Sequence, residues 1–129
     1  MLPTVRTFMD TDTHAVLDTL PILDAVRTLV DKGVTGVPVV QDGRLVGVLG
    51  ERECLRLVAE GDNGEVAKGK VSDFMRPLKE PLIHPDMDIY YVAGLFLSSP
   101  TTRRFPVVQG DRLVGVITRK DILRALLKP

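Results

Sequence analysis

Four consecutive residues near the C-terminal end, Thr118, Arg119, Lys120 and Asp121, carry the chemistry of greatest interest in this sequence. They stand where the apolar run "LVGVI" gives way to the helix-like stretch "RKDILRALL". That junction puts Thr118 at a helix N-cap and Asp121 at N3. Thr-x-x-Asp is a near relative of a capping box, in which side chains satisfy otherwise unpaired amides, and this role alone would account for both residues. The same spot also offers free amides and the positive end of a helix dipole. Thr118 adds a hydroxyl and Arg119 and Lys120 add charge, so a phosphate would be at home there. Asp121, acceptor-only when ionised, can take hydrogen bonds from two neighbouring hydroxyls. Capping and ligand binding are compatible, and these four residues leave both open.

A second copy of the stretch bears on that choice. "VPVVQDGRLVGVLGERECL", Val37 to Leu55, lies over "FPVVQGDRLVGVITRKDIL", Phe105 to Leu123, without a gap and with ten of nineteen positions identical. The apolar letters agree, as two halves folding alike require. The polar ones differ: Gly50, Glu51, Arg52 and Glu53 replace the Thr-Arg-Lys-Asp run. Gly50 caps acceptably but brings no hydroxyl, and Glu51 and Glu53 repel a phosphate while favouring the helix dipole. At most one high-affinity anion site per chain is therefore expected, in the later copy, although Glu53 retains a carboxylate that can meet hydroxyls.

The chain around these copies has 129 residues and is 44% hydrophobic, enough for one globular body with a sizeable core. Seventeen basic residues balance seventeen acidic ones, and no block of like charge marks a nucleic-acid-binding or membrane-binding tail. Cys54 is the only cysteine, which agrees with a reducing, cytoplasmic setting. The N-terminus "MLPTVRTFMD" has no basic start followed by a long apolar core, so a soluble, untargeted protein is expected. His14 and His84 have no partner at recognisable ligand spacing, and no metal site is assigned. No Gly-rich phosphate loop or nucleophile elbow occurs, and no catalytic residue is named.

Each half reads strand, helix, strand, strand, helix, with a short lead-in helix at "VRTFM" or "VSDFM". Ile22, Ala25, Val26, Leu29 and Val30 recur at helical spacing before Gly33, a plausible left-handed cap. "VPVV" and "LVGVL" flank an Asp-Gly turn, a strong hairpin signal. Gly110-Asp111 is its counterpart. "AVL", Ala15 to Leu17, and "PLI", Pro81 to Ile83, supply a further short strand in each half. Gly47 and Gly115 inside strands imply a close backbone approach, a bulge or helix packing. The boundaries are residues 1–61 for the first repeat, 62–70 for a glycine-containing linker and 71–129 for the second repeat.

The order of elements and the twice-occurring "PVV..dgrLvGvit..Dil" shape resemble a tandem pair of CBS domains, a Bateman module, over nearly the whole chain. The resemblance implies an α+β fold of two pseudo-symmetric repeats packed as one module. It further implies an adenosyl ligand (AMP, ADP, ATP or S-adenosylmethionine) in the cleft between the halves, with no catalytic cofactor. In such proteins the threonine and aspartate of this motif serve phosphate and ribose, here Thr118 and Asp121. Pro81, Leu82 and Ile83 on one side and Phe105 and Pro106 on the other would line the adenine slot, and Arg104, beside Arg103, would reach a phosphate from the rim. Modules of this kind act as regulatory units and commonly pair through their helices, where the adjacent Tyr90 and Tyr91 point to different sides. The expectation is a homodimeric sensor acting in trans on a protein partner. The alternative is a ligand-free dimerisation scaffold in which Thr118 and Asp121 are caps only.

Overall fold

The computed structural model describes residues 3–61, 68–78 and 82–127. In chain order the elements are α1 (Val5–Phe8), β1 (Val16–Leu17), α2 (Ile22–Lys32), β2 (Gly36–Gln41), β3 (Arg44–Gly50), α3 (Glu51–Ala59), α4 (Val71–Phe74), α5 (Ile89–Ser98), β4 (Arg104–Gln109), β5 (Arg112–Thr118) and α6 (Arg119–Arg124), followed by a 3₁₀ turn at Ala125–Leu127. They form two compact units, His14–Lys79 and a composite of Met1–Thr13 with Glu80–Pro129. Most of the expected linker, residues 62–67, lies outside the described residues.

In the unit His14–Lys79, α2 buries Ile22, Ala25 and Leu29 on one stripe. It stops at Gly33, whose φ of 63° is the left-handed conformation that glycine enters without steric penalty. The chain returns as β2, which pairs antiparallel with β3 and parallel with β1. Asp42 and Gly43 both have positive φ, as a two-residue hairpin turn of the primed type needs. Val16, Val37, Val39 and Leu49 from the strands close over the α2 stripe, and Val71 of α4 completes the core.

The composite unit repeats this plan. α5 is N-capped by Asp88, whose carboxylate accepts from the Tyr90 amide at 2.7 Å. It buries Ile89, Val92 and Phe96 against Phe105, Val107 and Ile117 of the hairpin, with the Phe96 and Phe105 rings 4.6 Å apart and tilted by 52°. The β4–β5 register copies that of β2–β3, including an irregularity at Val107/Val108 matching the one at Val39/Val40. Of the expected strand at Pro81–Ile83, the described residues show one parallel bridge, Ile83 to Val107, and Pro81 lies outside the described residues. Helix α1, which opens the first copy in the sequence, packs here through Val5, whereas α4, which opens the second, packs in the other unit.

That exchange explains the two strand glycines. Asp10, just after α1, and Val116 exchange both backbone hydrogen bonds, at 2.8 and 2.9 Å, and Arg76 after α4 does the same with Val48, at 2.9 and 3.1 Å. A Cβ on Gly115 would stand 2.9 Å from Met9 Sδ and 3.0 Å from the Asp10 carbonyl oxygen. On Gly47 it would stand 2.8 Å from Met75 Sδ and 3.0 Å from the Arg76 carbonyl oxygen. Of the alternatives open in the sequence, the approach is made by extended backbone and a methionine, not by a helix. Among the described residues no helix is long and apolar enough to cross a membrane.

Candidate functional site

Strand β5 hands over to α6 at Thr118, which keeps extended angles (φ −112°, ψ 168°) while its hydroxyl oxygen accepts from the Asp121 amide at 3.2 Å. Asp121 returns the bond, its Oδ2 accepting from the Thr118 amide at 2.9 Å. The capping box expected from Thr-x-x-Asp is thus complete. Asp121 is only 5% exposed, the one buried charged residue among those described. A buried carboxylate is tolerable only when its oxygens are supplied with donors. The second oxygen, Oδ1, accepts from Arg124 Nη1 one helical turn on.

Across the ladder, Arg104 at the start of β4 stands directly opposite Thr118. Burial pulls the Arg104 guanidinium below its usual range, while the carboxylates of Asp10, Asp121 and Asp12 act in the other direction. Asp10 is brought there by the backbone pairing with Val116, and its Oδ1 also accepts from the Asp12 amide at 2.9 Å. One end of the hairpin therefore gathers a hydroxyl, a helix start, a partly buried cation and several carboxylates.

The other residues named from the sequence divide. Ile83 and Phe105 are fully buried in the core, Pro106 is half-buried opposite Val116, and Leu82 is exposed. Pro81 lies outside the described residues. His84 is fixed beside them by an Nδ1–H bond to the Val108 carbonyl at 3.0 Å, which places the ring proton on Nδ1 because a carbonyl can only accept. Lys120 and Arg103 are exposed. Arg119 is turned elsewhere: its Nη2 donates to the carbonyls of Pro100 and Thr102 at 2.8 and 3.1 Å, and its guanidinium lies 5.9 Å from the centre of the Phe96 ring.

The matching junction of the other unit is built from different groups. Gly36 stands opposite Gly50, so both the cation and the hydroxyl are missing. Glu53 bends back to accept from the Gly50 amide at 2.7 Å, and the same oxygen lies 3.7 Å from Arg76 Nε. Asp10, Asp12 and Arg124 were not singled out in the sequence. The available signal was the end of each lead-in segment, "VRTFMD" against "VSDFMR", where Asp10 and Arg76 carry opposite charges to equivalent places. Among the described residues no group of three or more His, Cys, Asp or Glu side chains is arranged to hold a metal ion.

The CBS domain model matches the chain twice, over residues 5–60 and 71–128, and the chain belongs to the CBS domain family. Together with the mixed helices and strands described above, this makes it an α+β protein of two CBS repeats. It is similar to the chloroplastic CBS domain-containing protein CBSX2 of Arabidopsis thaliana, with 31% identity over 89% of this chain and 59% of that protein. A crystal structure of CBSX2 in complex with AMP superposes with a TM-score of 0.81 at 32% identity, covering 96% of each chain. The CBS domain pair of protein MJ0100, solved with 5′-methylthioadenosine and S-adenosyl-L-methionine, shares the fold with a TM-score of 0.77 at 22% identity over 98% of this chain and 97% of that one. The A-adding tRNA nucleotidyltransferase of Aquifex aeolicus is 28% identical over 95% of this chain, which spans only 14% of that enzyme.

Proposed function

We propose that this chain is a regulatory sensor of adenosyl compounds, binding AMP, ADP, ATP or S-adenosylmethionine and passing the occupied state to a protein partner in trans. In this reading the repeats are residues 1–61 and 71–129 joined by 62–70, and the second carries the ligand. The observation that carries it is Arg104 opposite Thr118 and beside Asp121, set against two glycines at the equivalent places of the other repeat. Arg104 and the Thr118 hydroxyl would meet a phosphate. Ribose hydroxyls would take over the Asp121 oxygen that Arg124 now occupies, with Leu82 and Pro106 flanking the base and Ile83 and Phe105 supporting them from below. The likeness to CBSX2, crystallised with AMP, supports the ligand class. The role is regulatory, not catalytic, and the setting cytoplasmic.

A ligand present at about a hundred times its dissociation constant should stabilise the fold by about 2.7 kcal/mol, a readily measured rise in melting temperature. A melting screen with AMP, ADP, ATP and S-adenosylmethionine tests the proposal, and no shift with any of them would remove it. One observation favours the scaffold reading: both Asp121 oxygens are engaged within the chain, by Thr118 and Arg124, so capping alone employs the residue fully. We further propose a homodimer, supported by the apolar side chains that α2, α3, α5 and α6 leave exposed.

A further inference from the structure

The backbone pairing of Asp10 with Val116 fixes which way the Asp10 side chain points. Opposed residues of an antiparallel pair share a face of the sheet, and residues two apart along one strand share it again. Val116 stands opposite Pro106 and Thr118 opposite Arg104, while Asp10 bridges to Val116 from the lead-in segment. Asp10, Thr118 and Arg104 therefore lie on one face, turned away from the core that holds Phe105 and Ile117. Asp10 is exposed, and its Oδ1 is steadied by the Asp12 amide at 2.9 Å. Burial lowers the pKa of the Arg104 guanidinium, and of the carboxylates that oppose this, that of Asp10 acts most strongly. All of these groups belong to the composite unit. In the other unit the equivalent bridge joins Arg76 to Val48, on the hairpin that pairs Gly36 with Gly50, so the sign of the charge is reversed.

We infer that Asp10 determines which adenosyl compounds the site accepts, favouring a positive centre beyond the ribose and disfavouring a polyphosphate. This rests on the sensor reading above and adds a specificity-determining residue to it. With the ribose on Asp121, the substituent at its 5′ carbon reaches Arg104 and Thr118 and, on the same face, Asp10. One phosphate or one carboxylate is matched by the Arg104 guanidinium. Further phosphates meet the Asp10 carboxylate, and a like charge built into a site rejects the wrong ligand more effectively than a missing contact does. Lys120 and Arg103 contribute positive charge only from exposed positions, where water and salt screen it. S-adenosylmethionine brings both signs: its carboxylate suits Arg104, and its sulfonium and ammonium suit Asp10.

Titration calorimetry of S-adenosylmethionine, 5′-methylthioadenosine, AMP and ATP on the wild type, Asp10→Asn and Asp10→Arg tests this. In the wild type, S-adenosylmethionine should bind more tightly than 5′-methylthioadenosine, and AMP more tightly than ATP. Asp10→Asn, which can still accept from the Asp12 amide, should shift the ratio of ATP to S-adenosylmethionine affinity about tenfold toward ATP, since one ligand loses a repulsion and the other an attraction. Asp10→Arg, which copies the charge of the first repeat, should shift it further. Uncharged 5′-methylthioadenosine should be unaffected by either variant, and high salt should shrink the shift, as only a charge effect would. An unchanged ratio in both variants, a wild type that prefers ATP to AMP, or an equal loss of all four ligands overturns the role of Asp10 and leaves the sensor standing. A wild type that binds none of the four removes the sensor, and the selectivity with it.

Discussion

Arg104 faces Thr118 across the β4–β5 ladder, at the place where the first repeat sets Gly36 against Gly50. Two hairpins with the same register and the same irregularity thus end in opposite chemistry. A partly buried guanidinium beside a hydroxyl marks one end, and the other is bare backbone sealed by Glu53 and Arg76. Under the sensor proposal, Arg104→Gly, which copies the first repeat, should weaken AMP binding at least tenfold while leaving an uncharged adenosyl compound such as 5′-methylthioadenosine little affected. Titration of both ligands reads the difference, and equal losses would argue against a phosphate contact.

Asp121 has a structural duty whatever it binds. Asp121→Ala removes the N3 half of the capping box and the Arg124 partner, and should lower stability by about 1 kcal/mol. Thr118→Val removes the N-cap acceptor at similar cost. Denaturant unfolding checks both, and a loss above about 3 kcal/mol would mean that the junction holds up more of the fold than its cap.

The strand glycines should resist even the smallest side chain. Gly115→Ala and Gly47→Ala each press a methyl group against a carbonyl oxygen and a methionine sulfur, with expected losses of about 1 to 3 kcal/mol. Gly94, inside α5, meets nothing within 4 Å, so Gly94→Ala should raise stability by about 0.5 to 1 kcal/mol through helix propensity. Equal thermal shifts for the three variants would contradict the packing described.

Cys54 should be a sluggish thiol. Burial pushes its pKa up, and the Glu53 and Glu51 carboxylates push it further, so the protonated form predominates well past neutrality. Alkylation by iodoacetamide should be slower than for free cysteine at pH 7 and should keep rising with pH beyond the point where free cysteine levels off. A thiol as fast as free cysteine at pH 7 would contradict this environment.

Local chemistry made much of this legible in the sequence. The caps at Gly33 and Thr118 and the Asp42-Gly43 turn depend on residues a few places apart, and each lies where its spacing puts it. Asp10 could not be placed beside Arg104 from sequence, because their meeting needs the lead-in segment to pair with a strand more than a hundred residues away. The direction of Arg119 was hidden for a related reason. At the first position of α6 it lies over the α5 face, where Phe96 and two loop carbonyls claim it, and nothing in "TRKD" announces them. Taken singly, Ile83 and Phe105 read as core before they read as slot, which only the family resemblance implied, and their burial puts the side chains in the core.

Calorimetric titration of the chain with AMP and S-adenosylmethionine, repeated on Asp121→Ala and Glu53→Ala, addresses the central point most directly. One site per chain is expected, lost in Asp121→Ala and retained in Glu53→Ala. Two equivalent sites, or one that survives Asp121→Ala and disappears in Glu53→Ala, would contradict it.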